Sequence, residues 1–180
     1  MSTSTPPGAC SPSSACCIGV DLVVAALPQS VLFCCDHNAV RSPMAEGMMK
    51  KFYGDRVFVQ SAGVKSELEI DGFSISVCEE IGVPLHQHKV RSFDEMQEWG
   101  DDLSSYDLIV ALSPASQRRV LELTRYHHLE VEYWPVLDPT GLGTQRTEKL
   151  GAYRLARDQI RDRMIARFGP PLPDEESWDA

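Results

Sequence analysis

Before Arg41 the chain has no lysine or arginine, and nowhere along its length are the basic residues gathered into a stretch. Seventeen Lys and Arg stand against 26 Asp and Glu, leaving a net charge of −9. Nucleic-acid binding needs a basic patch, so neither DNA nor RNA is an expected partner. The apolar stretch from Ile18 to Leu27 is interrupted by Asp21 and has no positive flank. It therefore lacks the pattern of a signal peptide, and it is too short to span a bilayer. The six cysteines, at 10, 16, 17, 34, 35 and 78, include two adjacent pairs and do not have the spacing of a disulfide-stapled secreted domain. Reduced thiols and a cytoplasmic location are expected. His86-x-His88 and His127-His128 have no Cys or carboxylate at zinc-like spacing, so no metal or other cofactor is expected.

What remains is an ordinary globular composition, 43% hydrophobic and 24% charged over 180 residues. That length suits one compact unit with a sizeable core. Residues 1–28 are rich in Ser, Pro, Thr, Ala and Cys and read as an N-terminal tail. Residues 29–169 form the expected domain and 170–180 a C-terminal tail.

The short apolar run Ser30 to Cys35 has the character of a strand buried on both faces. Ser42-Pro43 reads as a helix start, with Ser as the cap, Pro at the first helical position and Glu46 in the first turn. Further strands are expected at Val57–Ser61, Leu108–Leu112 and Val131–Val136. Helices are expected over 71–81, 114–125 and 147–168, the last carrying the stripe Leu150, Tyr153, Ile160, Met164 and Phe168. Strands that alternate with helices predict a parallel sheet covered on both faces, with ligands bound at the carboxyl ends of the strands. The segment after Cys35 lies at such an end.

That segment reads Cys35-Asp36-His37-Asn38-Ala39-Val40-Arg41-Ser42. A Cys followed six residues later by an Arg arises by chance roughly 0.4 times in a chain with these counts, so the context has to carry the reading. Here the Cys ends a buried strand, the loop is short, and the Arg directly precedes a helix start. Such a loop turns its backbone N–H groups toward a tetrahedral oxyanion, and the helix adds the positive end of its dipole. The same field favours a thiolate at Cys35, the species that attacks phosphorus. Arg41 supplies a bidentate fork for equatorial oxygens that Lys cannot match. The Ser42 hydroxyl is placed to donate to the thiolate, and Asn38 is a residue type that tolerates left-handed backbone. A departing alkoxide also needs a proton. Asp138-Pro139, just past the fourth strand, offers a carboxyl group at the same end of the sheet.

With Val31-Leu32-Phe33-Cys34-Cys35, Asn38 and Arg41-Ser42-Pro43-Met44-Ala45-Glu46, the chain resembles the low-molecular-weight protein tyrosine phosphatase family. Ser61-Ala62-Gly63, Tyr106 to Val110 and Asp138-Pro139 resemble further landmarks of that family, and the likeness runs from about residue 30 to 168. The resemblance implies an α/β fold, three-layer αβα, with a central four-stranded parallel sheet and the phosphate-binding loop after the first strand. It implies Cys35 as nucleophile, Arg41 as phosphate binder and Asp138 as general acid, then base. Asp36, His37, Asn38, Ala39, Val40 and Ser42 complete the substrate-binding loop. The activity implied is hydrolysis of phosphate monoesters, with protein phosphotyrosine as substrate, through a cysteinyl-phosphate and without a metal. A phosphorylated protein or small phosphate ester is the expected partner, and a monomer or weak dimer the expected state.

Several positions depart from that family's pattern. His37 stands where a Gly is usual, and Asp36 where an apolar residue is usual. A carboxylate at Asp36 weakens anion binding unless His37 or a cation pairs with it. Val40 replaces a second loop cysteine, and Thr140-Gly141-Leu142-Gly143 replaces the aromatic wall after Asp-Pro. Trp134, Trp99 and Tyr53 are the candidates to supply an aromatic surface instead. Two alternatives follow. One is arsenate reduction on the same fold with an external thiol, since Cys78 is the single cysteine downstream of Cys35. The other is a non-catalytic module that binds phosphorylated proteins or regulates a partner.

Overall fold

The computed structural model describes residues 27–67 and 69–172. The expected tails fall at residues 1–26 and 173–180 outside the described residues. At the described ends, Leu27 and Leu172 pack against the core, and the Leu172 N–H donates to the Phe52 carbonyl at 2.8 Å.

Four strands build one parallel sheet: β1 (Ser30–Cys35), β2 (Phe58–Gly63), β3 (Leu108–Ala111) and β4 (Glu130–Tyr133). Their spatial order is β2-β1-β3-β4, so the chain moves outward from β1 to β2 and then returns across it to β3. The switch point lies between β1 and β3, and Cys35 sits at the carboxyl end of β1 beside it. Helices α1 (Arg41–Tyr53), α2 (Gly72–Glu79) and α5 (Arg146–Phe168) cover one face. Helices α3 (Phe93–Glu98) and α4 (Pro114–Leu123) cover the other. This is the expected three-layer α/β architecture.

The alternation of β1 divides the core. Val31, Phe33 and Cys35 pack toward α1 and α5, whereas Leu32 and Cys34 pack toward α3 and α4. All six residues of the strand are buried, as befits a strand covered on both faces. After Ser30 the sequence of β1 is apolar for that reason, and side chains two apart share a layer.

Three boundaries differ from expectation for physical reasons. The fourth strand stops at Tyr133 instead of Val136, because regular pairing with β3 is lost there: Trp134 and Val136 are two apart, but the carbonyls they reach are adjacent. Trp134 and Val136 still donate to Ala111 and Leu112, at 2.8 and 3.3 Å, which leads the chain on toward Asp138. The first helix begins at Arg41 with no side-chain cap, so Ser42 is not its cap and Pro43 is not its first residue. The Ser42 hydroxyl is used elsewhere. Finally, β2 runs on to Gly63, two residues beyond the expected Ser61. A Cβ on Gly63 would lie 2.8 Å from the Asn38 backbone nitrogen, so glycine lets β2 pass directly against the loop.

The short α3 was not anticipated. Its signal is the pair Ser92 and Glu95, which form a capping box, the Ser92 N–H donating to the Glu95 carboxylate at 2.6 Å. Among the described residues no helix is long and apolar enough to cross a membrane.

Candidate active site

A loop that folds around an anion must give up regular backbone pairing and be held from behind. Asn38 supplies that hold. It is fully buried and adopts φ +53°, the left-handed conformation that Asn tolerates better than most residues. Its Oδ1 accepts from the Arg91 N–H at 3.0 Å, which fixes the orientation of the amide. The Nδ2 then donates to Ser42 Oγ at 2.9 Å and to Ser61 Oγ at 2.8 Å.

These bonds lead on to the next ones. Ser42 Oγ accepts from Asn38, and toward a Cys35 thiolate, 3.0 Å away, it can only donate, with the Ala62 carbonyl as a longer acceptor at 3.4 Å. That is the bond a thiolate needs to be stabilised as a leaving group and nucleophile. Ser61 Oγ likewise donates to Glu46 Oε2 at 2.6 Å. The carboxylate of Glu46 is buried and also meets the Lys50 ammonium. His88 closes the network from the far side, with Nε2 3.2 Å from Asn38 Oδ1 and Nδ1 3.5 Å from Glu46 Oε2. Since Asn38 Oδ1 can only accept, Nε2 carries the hydrogen.

Two predictions follow from this network. Asn38→Ala strands several buried groups and removes the residue best suited to φ +53°, and is expected to destabilise the fold by about 3 kcal/mol, read from the midpoint of urea unfolding. His88 titrates below its ordinary value of 6.5, chiefly because burial disfavours the cation; Glu46 opposes the shift, and Arg91 and Lys50 reinforce it. The unfolded chain therefore takes up a proton at His88 before the folded one does. Stability from this residue is present above pH 6.5 and is lost as pH falls from there through the lower folded value. Thermal midpoints measured across that window should fall with acid, and less steeply in His88→Gln.

On the solvent side the loop opens into a pocket of about 380 Å³. Cys35, His37, Ala39, Val40, Arg41 and Asp138 line it, so six of the nine expected site residues meet there. Asn38 and Ser42 lie behind the loop, fully buried, where their side chains hold it in shape. Asp36 is turned sideways. Its Oδ2 lies 2.6 Å from Arg41 Nη2, and its Oδ1 accepts from Ser113 Oγ at 2.6 Å. The carboxylate thus has the cation that it needs, and that cation is Arg41 rather than His37. His37 instead pairs with Glu67 at the rim, at 3.0 Å.

Asp138 reaches the same guanidinium from the loop beyond β4, with Oδ2 2.9 Å from Arg41 Nη2. Its Oδ1 accepts from the N–H and hydroxyl of Thr140, at 3.0 and 2.7 Å. Burial alone would raise the Asp138 carboxyl, but the two Thr140 bonds, then Arg41 and His37, outweigh it and hold the group below the usual carboxylate range.

The aromatic candidates do not reach this pocket. Trp134 and Tyr53 are core residues packed on Phe168, each with ring centroids 6.0 Å from it, and exposed Trp99 borders a separate cavity with Pro43 and Lys89. The other described thiols are equally remote in chemistry. Cys34 faces the opposite layer, donates to the Val110 carbonyl at 3.4 Å, and is pushed up by burial. Cys78 is buried in the core, its thiol pushed up to about 12. Among the described residues no group of three or more His, Cys, Asp or Glu side chains is arranged to hold a metal ion.

Residues 30–166 match the profile described as low molecular weight phosphotyrosine protein phosphatase. The chain belongs to that family. Its curated relatives include an arsenate reductase of Bacillus subtilis, 27% identical over 134 residues that cover 74% of this chain and 91% of that one. A glutaredoxin arsenate reductase of Synechocystis is 26% identical over 136 residues, covering 76% and 93%. Among solved structures, a low molecular weight protein tyrosine phosphatase from T. tengcongensis superposes with a TM-score of 0.60 at 24% identity, covering 77% of this chain and 98% of its own. An arsenate reductase from Archaeoglobus fulgidus gives a TM-score of 0.58 at 26% identity, with the same coverage. The family thus includes relatives of both names.

Residues outside the loop complete the site. Ser61, Glu46, His88 and Arg91 hold Asn38, Ser113 holds Asp36, and Thr140 holds Asp138. Each is distant in sequence from what it supports, except Glu46, in the helix that directly follows the loop, and Thr140, whose Asp-x-Thr spacing is a recognisable local turn.

Proposed function

We propose that this chain hydrolyses phosphate monoesters, with protein phosphotyrosine as the substrate class, through a phosphocysteine at Cys35. The observation that carries this reading is the position of Asp138, 2.9 Å from Arg41 in the pocket lined by Cys35. An esterase needs a proton donor beside the nucleophile, whereas a reductase that completes its cycle with its own cysteines needs a second thiol there and one that uses a supplied thiol has no need of Asp138. Among the described residues the other two thiols, Cys34 and Cys78, are both buried away from the pocket.

In this reading the Cys35 thiolate forms an S–P bond as the P–O bond of the ester breaks, and the departing oxygen takes its proton from Asp138. Water then attacks phosphorus, passes a proton to Asp138, and releases inorganic phosphate and the thiolate. Arg41 and the loop N–H groups stabilise charge on the equatorial oxygens in both steps. Asp138 must be protonated for the first step although its pairing with Arg41 favours the carboxylate. A bound phosphoryl dianion resolves this, because it takes Arg41 for itself and places negative charge beside Asp138, both of which raise the carboxyl. An aryl ring of the substrate rests on Ala39 and Val40, since among the described residues no aromatic side chain lines the pocket.

A second reading is arsenate reduction, which the names of the curated relatives favour. There Cys35 would bond to arsenic, and a supplied thiol would attack Cys35 sulfur, giving arsenite and a mixed disulfide. The two sulfurs together provide the two electrons. The readings separate in one set of assays in a chelator. Aryl phosphates should be hydrolysed, and Asp138→Asn should slow those with poor leaving groups by about 10²–10³-fold while slowing good ones far less. Equal slowing across the series would remove Asp138 from the acid role. Arsenate-dependent oxidation of glutathione without ester hydrolysis would replace the phosphatase by the reductase. Phosphopeptide binding without either reaction would leave a binding module.

A further inference from the structure

The loop contains a carboxylate that the proposed reaction does not use. Asp36 is tied at both oxygens, to Ser113 Oγ at 2.6 Å and to Arg41 Nη2 at 2.6 Å. Ser113 is itself immobile: it is buried, caps α4, and its hydroxyl is 2.9 Å from that of Ser116. Asp36 is therefore held to the body of the fold. Asp138, the other partner of Nη2, is more exposed and is held by a turn of its own loop through Thr140.

The geometry of a guanidinium gives this arrangement a consequence. A planar oxyanion grip uses two parallel N–H groups, and only two edges of Arg offer them, Nε with Nη2 and Nη1 with Nη2. Both edges run through Nη2. The two N–H groups of Arg41 Nη2 meet two carboxylates, and Nη1 donates to the Val136 carbonyl at 3.3 Å. A tetrahedral oxyanion thus gains a bidentate grip only where one carboxylate gives way.

Building on the phosphatase reading, we propose that Asp36, anchored by Ser113, is a specificity-determining residue that keeps one edge of Arg41 closed, so that an oxyanion can grip Arg41 only by displacing Asp138. Binding is then coupled to release of the acid toward the leaving group. The cost is weaker affinity for free oxyanions, and in particular for the product phosphate. Without Asp36, phosphate takes the edge that Asp36 held and Asp138 can stay on Arg41.

The test is calorimetric titration of the full chain with inorganic phosphate, which needs no turnover. Asp36→Asn and Asp36→Ala should each bind phosphate about tenfold more tightly than the wild type. Ser113→Ala, which keeps the charge and loosens the anchor, should shift affinity the same way by a smaller factor. Glu69→Gln removes a carboxylate that lines the same pocket without touching Arg41, and should change affinity less than twofold. Kinetics should show the complementary loss: kcat of Asp36→Asn should fall most for poor leaving groups, while KM falls. A gain in affinity cannot come from misfolding. Equal or weaker phosphate binding by both Asp36 variants, or an equal gain in Glu69→Gln, would overturn the proposal and leave the phosphatase reading standing. No phosphate binding by any of these proteins would overturn the reading of the pocket itself, and the role of Asp36 with it.

Discussion

Replacing Cys35 by serine is expected to lower turnover of an aryl phosphate by about 10⁴-fold or more, to the level of the background reaction. Sulfur is the atom that bonds to phosphorus, and a serine hydroxyl in its place has no general base beside it. Ser42 Oγ, 3.0 Å from Cys35 Sγ, donates to the thiolate form, which has no proton of its own to give. Among the described residues no imidazole or carboxylate is hydrogen-bonded to Cys35 to take a proton from an oxygen nucleophile. The remaining cradle is untouched by the substitution, so phosphate affinity in Cys35→Ser should stay within about threefold of wild type. Loss of turnover with retained binding, measured on one preparation, separates a missing nucleophile from a misfolded loop. Retained turnover would place the chemistry elsewhere.

Arg41→Lys has the next largest expected effect. Lysine keeps the charge but presents one ammonium where the guanidinium reaches Asp36, Asp138 and the Val136 carbonyl from a plane. An ammonium cannot grip two equatorial oxygens in parallel, and kcat/KM should fall by about 10²–10³-fold. Arg41→Ala should lose as much activity and destabilise the fold as well, because Asp36 and Asp138 then face each other without a cation. That added loss should shrink as pH falls and the carboxylates are neutralised. A thermal midpoint unaffected in Arg41→Ala at neutral pH would mean that the two carboxylates separate once the guanidinium is gone.

Much of this site is legible in the sequence because its defining parts are local. The buried strand, the Cys, the loop, the Arg and the helix start occupy residues 30–46 in one continuous run, and each is a short-range signal. Asp138 is legible by another route, since a carboxylate just past a strand of a parallel sheet is placed at its carboxyl end by topology alone. The support behind the loop was hidden because it is tertiary. Asn38 is a plausible left-handed residue on sight, but its partners Ser61, His88 and Arg91 are 23, 50 and 53 positions away. The same holds for Asp36, whose anchor Ser113 is 77 positions away, so that it reads in sequence as an unpaired charge.

Ser42 illustrates competition between two readings of one residue. Serine before proline is a good cap signal, yet here the helix starts one residue earlier and the hydroxyl serves Cys35. The fourth strand similarly ends at Tyr133, where its register on β3 is lost, although apolar and aromatic residues beyond it suggest that it continues. The aromatic candidates failed for a simpler reason: Trp134 and Tyr53 are large enough to be needed in the core around Phe168.

The central claim is that phosphorus is transferred to Cys35 sulfur. Acid quench of the wild-type protein during turnover of an aryl phosphate, followed by mass spectrometry of its peptides, tests it directly. One phosphoryl group on the peptide containing Cys35, absent from Cys35→Ser, is the predicted result; steady turnover with an unmodified Cys35 peptide, or with the phosphoryl group on another residue, would contradict it.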